Sequence, residues 1–243
     1  MSPLTSILTL TLLMAGSSAQ AEPHAVQDLG EFHGGETIAR DGETWLALVE
    51  EDQTLSLRSV QVQVRPVNDP VLDAEGETSG REVSVPALSS APVLLLRGPA
   101  LTEGTISATA PRYVGPQIGS AIEIAEPDGE TLYLGLSCNS LNLAPQDSQP
   151  GVFRCDVRLR GRGREQVLHS LDARMDPDAG LVLGSDGSVM LRFAGDLDGD
   201  GRSDLVLDVS EHYNGMRTVL WLSSGATLPA LLHEVAATNV TGC

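Results

Sequence analysis

Asp196, Asp198 and Asp200 stand on alternate positions of a short polar stretch. Gly201 falls at the sixth position counted from Asp196, and Asp204 at the ninth. This spacing suits a hard divalent cation, which takes six to eight oxygens within a small volume. Carboxylates converge on it from a tight glycine-rich turn, and one backbone carbonyl, here that of Arg202, is turned inward. Calcium is the expected ion, held by Asp196, Asp198, Asp200, the Arg202 carbonyl and Asp204. The alternative is an acidic surface turn with no ion, in which four clustered carboxylates repel one another. A helix–loop–helix calcium site requires a bidentate glutamate at position twelve. That position is Leu207, inside an apolar run rich in Leu and Val, so the helix–loop–helix reading fails.

The run Phe193-Ala-Gly-Asp-Leu-Asp-Gly-Asp-Gly-Arg-Ser-Asp-Leu205 resembles the calcium loop of FG-GAP repeats, the integrin-α type, which lies between two β-strands. Phe193, Gly195, Asp196, Asp198, Asp200, Gly201, Asp204 and Leu205 carry the resemblance, which extends over residues 189 to 222. It implies a structural calcium ion rather than a reaction. A complete propeller of such repeats is excluded on size, because one loop is found where several blades of roughly 60 residues each would be needed.

Other constellations are thinner. Cys138, Cys155 and Cys243 are the three cysteines, and in an oxidising compartment two of them are expected to pair. Cys138–Cys155 is the local choice, closing a loop worth about 3 kcal/mol by chain entropy. Pairing of Cys243 with either would instead pin the C-terminus. No CxxC occurs and the five histidines lack ligand spacing, which argues against zinc. No Gly-x-Ser-x-Gly elbow occurs, and Gly184-Ser-Asp-Gly-Ser188 reads as a hairpin turn. Glu211-His212-Tyr213-Asn214 is the most suspicious polar group, where Asp208 and His212 offer an acid–base pair organised by metal. The competing reading is a plain hairpin end with Asn214-Gly215 as a type I′ turn. No catalytic residue is assigned. Trp45 and Trp221 read as core or edge packing rather than a sugar-stacking platform, and Arg158, Arg160, Arg162 and Arg164 as a solvated strand face or a local site for an acidic partner.

These residues need a scaffold. Residues 1–21 combine a short apolar core with Ala19-Gln20-Ala21, the pattern of a secretory signal peptide cleaved before Glu22. No stretch is long enough to span a bilayer as a helix, so an exported protein, periplasmic or secreted, is expected. The remaining chain has 33 acidic residues against 15 basic ones, all arginine, for a formal charge of −18. Such a surface repels nucleic acid and anionic lipid and attracts divalent cations. Aromatic content is 3%, long helical patterns are missing, and short apolar runs alternate with turn residues. The expectation is an all-β fold, an antiparallel sandwich or barrel-like domain.

Residues 22–115 and 116–243 read as two β regions, or as one continuous domain over 22–243, with Ala110–Pro116 as the linker. Asp41-Gly-Glu-Thr and Asp128-Gly-Glu-Thr nearly repeat each other ahead of a strand in each region, although Asp-Gly turns before strands are common. A three-strand meander is expected around the acidic loop, and residues 228–237 read as a short helix or an edge strand, with Pro229 favouring the helix. The functional expectation is a non-catalytic binding or structural module clamped by calcium. A calcium-dependent adhesion or glycan-binding protein and a metal-organised hydrolase are the alternatives. The partner, protein or glycan, stays open.

Overall fold

Short apolar runs punctuated by turns fold as strands throughout the computed structural model, which describes residues 23–52, 54–88, 92–141 and 151–242. The expected cleavage site and Cys243 lie outside the described residues. In chain order the strands are β1 Ala25–Gln27, β2 Gly30–Phe32, β3 Thr44–Glu51, β4 Thr54–Gln61, β5 Gln63–Val67 and β6 Gly80–Ser84. Then come β7 Leu94–Arg97, β8 Gly104–Ile106, β9 Ala121–Ala125, β10 Thr131–Ser140, β11 Val152–Gly161 and β12 Arg164–Asp176. The last are β13 Gly180–Leu183, β14 Ser188–Gly195, β15 Asp204–Ser210, β16 Gly215–Leu222 and β17 His233–Thr241. All strand pairs are antiparallel, so the fold is all-β as expected.

The strands form four sheets: β1-β7-β3-β4-β8, the small sheet β2-β6-β5, β13-β12-β11-β10-β9, and the central meander β14-β15-β16-β17. The central sheet is apolar on both faces. Leu205, Leu207, Val209, Val219 and Trp221 pack with Leu134, Val157, Leu159 and Leu171 of the β9–β13 sheet. On the other face, Phe193, Val206, Leu220 and Leu222 pack with Val26, Leu48, Leu57 and Leu94 of the first sheet. All seven residues of β15 are buried, which explains why it reads as a continuous apolar run rather than an alternating one. The far side of the first sheet, with Trp45, Ala47 and Val49, packs on Val83 and Val85 at the small sheet. Both tryptophans are core residues.

One open choice is settled in favour of the edge strand, and three expectations are corrected. Residues 228–237 are not helical: a turn carries the chain through Pro229, and β17 then pairs along the open edge of β16. Its Val235, Thr238, Val240 and Thr241 are β-branched, which suits a pleated edge better than a helix. The meander therefore has four strands. Asn214-Gly215 is not a two-residue type I′ turn, since neither residue has positive φ. The connection runs over residues 211–214, with the Gly215 amide donating to the His212 carbonyl at 3.0 Å. Gly184–Ser188 does not form a hairpin either, because it carries the chain from β13 in one sheet to β14 in another.

The stretch read as a linker runs along the outer edge of β14. Thr109 N donates to the Ala194 carbonyl at 2.9 Å, Tyr113 N to that of Leu191 at 2.7 Å, and Leu191 N to that of Val114 at 2.8 Å. Backbone groups that would face water at a sheet edge are thereby paired. Cys138 and Cys155 stand directly opposite each other on β10 and β11 and are joined as a disulfide.

A register shift between Leu191 and Phe193 lies at Arg192, which enters the seam between the central and first sheets. Its guanidinium donates to Asp28 Oδ1 at 2.6 Å and to the Val93 carbonyl at 2.7 Å, and lies 3.5 Å from Asp208 Oδ1. Thr218 Oγ1 donates to Asp208 at 2.8 Å and lies 3.2 Å from Asp28 Oδ2. Removing one member of such a cluster leaves the others buried and uncompensated. Arg192→Ala is expected to destabilise the fold by about 3–5 kcal/mol in denaturant titration. A loss below about 1 kcal/mol would mean the cluster is solvated rather than buried.

Candidate metal centre

The acidic loop joins the ends of β14 and β15, two strands whose packing fixes its stems. Its entry is tight. A Cβ at Gly195 would lie 2.5 Å from the Ser107 carbonyl oxygen and 2.7 Å from the Phe193 ring, so only glycine fits there. Gly199 and Gly201 have φ of 78° and 82°, the left-handed turns that fold the carboxylates back on themselves. Leu197, between two aspartates, buries its side chain in the seam with the first sheet and anchors the loop from below.

Asp196, Asp198 and Asp204 converge, each offering a carboxylate oxygen within 4.8 Å of the others. Asp196 also organises the turn, accepting from the amides of Gly199 at 2.7 Å, Asp200 at 3.1 Å and Gly201 at 2.9 Å. Asp198 accepts from the Ser224 hydroxyl. Asp204 is wholly buried, and its two oxygens accept from the amides of Leu197 at 2.8 Å and Ser223 at 2.7 Å. Asp200 does not join the three. It accepts from the Arg202 guanidinium at 2.9 Å and the Ser223 hydroxyl at 2.7 Å. Arg202 also reaches the Ser223 carbonyl at 2.9 Å, so its side chain straps the loop to the end of β16.

The supporting residues were not legible in the motif. Ser223 and Ser224 come from the strand beyond next, and Glu126 from another sheet. Glu126 accepts from the Ser203 amide at 2.9 Å and is itself held by Arg162 at 2.7 Å, while Ser203 and Thr109 hydroxyls meet at 2.9 Å. The only sequence signal for any of them is a Ser-Ser-Gly run directly after a buried strand. The loop is thus tied to β16, to the edge strap and to the β9–β13 sheet at once.

The remaining candidates resolve separately. Asp208 belongs to the buried Arg192 cluster, while His212 is an exposed residue paired with Asn214 and stacked on Tyr213 at 4.2 Å, so the two share no site. The arginines of β11 and its turn are each met by acids: Arg154 by Asp172, Arg158 by Asp156 and Glu165, and Arg162 by Glu126 and Asp128. Arg160 approaches Glu165 at 3.9 Å and is largely exposed. Arg154, Arg158 and Arg160 thus line a partly solvated face of β11 and β12, whereas Arg162 serves the buried Glu126.

Comparisons with protein-family models, with curated proteins and with solved structures found no match. The loop must speak for itself.

Burial pushes the Asp204 carboxyl up to about 7, with the Ser223 amide opposing and Asp198 reinforcing the rise. An aspartate whose folded pKa lies above its unfolded value binds its proton more tightly when folded, so its contribution to stability is present at low pH and lost as pH rises through the folded value. In chelator, stability should therefore fall between about pH 4 and pH 7, by at most about 1.4 kcal/mol per pH unit from this group. Denaturant titrations across that range check this, and Asp204→Asn should flatten the slope. An unchanged slope in the variant would show that the fall comes from other groups.

Proposed function

We propose that this is an exported, non-catalytic β-protein in which a calcium ion clamps the loop between β14 and β15, and which serves as a binding or structural module. The observation that carries the reading is the convergence of Asp196, Asp198 and Asp204 within 4.8 Å, one of them fully buried. Three carboxylates are a hard, oxygen-only donor set, which favours calcium over softer metals. Asp196, Asp198 and Asp204 would hold the ion. Asp200, released from Arg202, and the Arg202 carbonyl are the further expected donors. Bound there, the ion supplies charge neutralisation, so the buried Asp204 can stay ionised without its proton.

The consequence is mechanical. Leu197 and Phe193 lie on either side of Asp196 and both pack against the first sheet, while Ser203 ties the loop to Glu126 of the β9–β13 sheet. An ion that holds the loop closed therefore holds three sheets in register. Export is supported by the leader pattern of residues 1–21 and by the disulfide, which needs an oxidising compartment to form.

Free calcium at a hundred times its dissociation constant should stabilise the protein by about 2.7 kcal/mol. Melting curves with calcium and with chelator measure the difference, and metal analysis of the purified protein gives the stoichiometry. Asp198→Ala should lower the melting temperature in calcium and abolish the chelator effect. Wild-type melting indifferent to both additions would reduce the loop to an acidic turn. Mass spectrometry of protein recovered from outside the cytoplasm should find Glu22 as the first residue, and Met1 retained there would refute the leader.

A further inference from the structure

A cleft of about 310 Å³ opens at the other end of the central sheet from the acidic loop, between β12 and the turn that joins β15 to β16. His169, Glu211 and His212 line it. The Nε2 atom of His169 is shut off from water and has no hydrogen-bond partner. Its neighbour in the cleft is Glu211 Oε1 at 3.6 Å. That is too long for a hydrogen bond. It is close to the separation of two ligands on one tetrahedral zinc ion, about 3.3–3.5 Å for bonds of 2.0–2.1 Å. A buried polar atom without a partner calls for an explanation, and a missing ion is one of the few available.

We infer that the cleft binds a borderline transition-metal ion of the zinc type, with His169 Nε2 and the Glu211 carboxylate as the anchoring pair and His212 as the third ligand. A nitrogen-rich donor set selects such an ion over calcium, which the all-carboxylate loop would take. Burial lowers the pKa of His169, which favours the neutral imidazole that a metal takes. The backbone around Glu211 is fixed. Ser185 N donates to the Glu211 carbonyl at 2.8 Å, Tyr213 N to the Ser185 carbonyl at 2.9 Å, and Ser210 Oγ to the His212 carbonyl at 2.5 Å. The three side chains do not converge within 4.8 Å as the loop carboxylates do. The exposed His212 ring has to turn inward, giving up its bond to Asn214. Arg217, on the same cleft wall, is paired with Glu234, and its charge still reaches His169, where it favours the neutral ring.

Spacing along the chain gives no hint of this site, because Glu211 lies 42 positions after His169 and the fold alone joins them. The test is zinc titration of tag-free protein in excess calcium, with cobalt substitution as a spectroscopic readout of coordination. One zinc ion is expected per chain. His169→Gln and Glu211→Gln should each weaken binding at least about tenfold, while Asp198→Asn should leave it unchanged. Glu211 is 68% exposed in its side chain, so its variant reports on binding even if His169→Gln folds poorly. His24 is the control, since its Nε2 is likewise buried and unpartnered, and Asp198 and His233 both influence it. Absence of stoichiometric zinc binding would overturn the proposal, as would binding that survives Glu211→Gln or that follows His24 or Asp198 instead.

Discussion

Strand β15 has no solvent face, and most of the architecture follows from that. An antiparallel strand normally buries one side and wets the other. Here apolar side chains point both ways, so a sheet must cover each face. Two carboxylates, Asp204 and Asp208, are nevertheless built into the strand. Each is compensated differently. Asp208 has a permanent counter-charge in Arg192, placed by the break in register at that residue of β14. Asp204 has only two backbone amides, so burial raises its pKa to about 7. One buried acid has a cationic partner in the chain itself, and the other has none.

The acidic loop was legible because its geometry is local: alternating aspartates, two glycines and a flanking apolar run all fall within fifteen residues. The disulfide was legible for a similar reason, since Cys138 and Cys155 end and begin neighbouring strands. What could not be read were partners brought in by topology. Ser223, Ser224, Glu126 and the pairing of His169 with Glu211 have no spacing to betray them. Strands β1, β2 and β13, three or four residues long, are too short for an alternation to register in the sequence. Residues 228–237 misled because a proline at a plausible helix start is a local signal, whereas the unpaired edge of β16 that recruits His233–Thr241 is a tertiary one.

The charge pattern also divides by level. A formal charge of −18 sets the long-range field, yet the arginines are concentrated where acids already stand, on β11 and β12 and in the seam at Arg192. Most of them neutralise acidic neighbours.

The order of the sheets along the chain has a bearing on how the protein is made. The first sheet and the β9–β13 sheet are encoded ahead of residue 184, but the central layer that covers one face of each is encoded after it. As the chain emerges from the ribosome, both early sheets carry a wide apolar face with nothing to cover it. Neither can complete its packing until β14 to β17 are available to slide between them. A chain organised in this way stays unfinished through most of its synthesis and closes its core only when its last quarter is available.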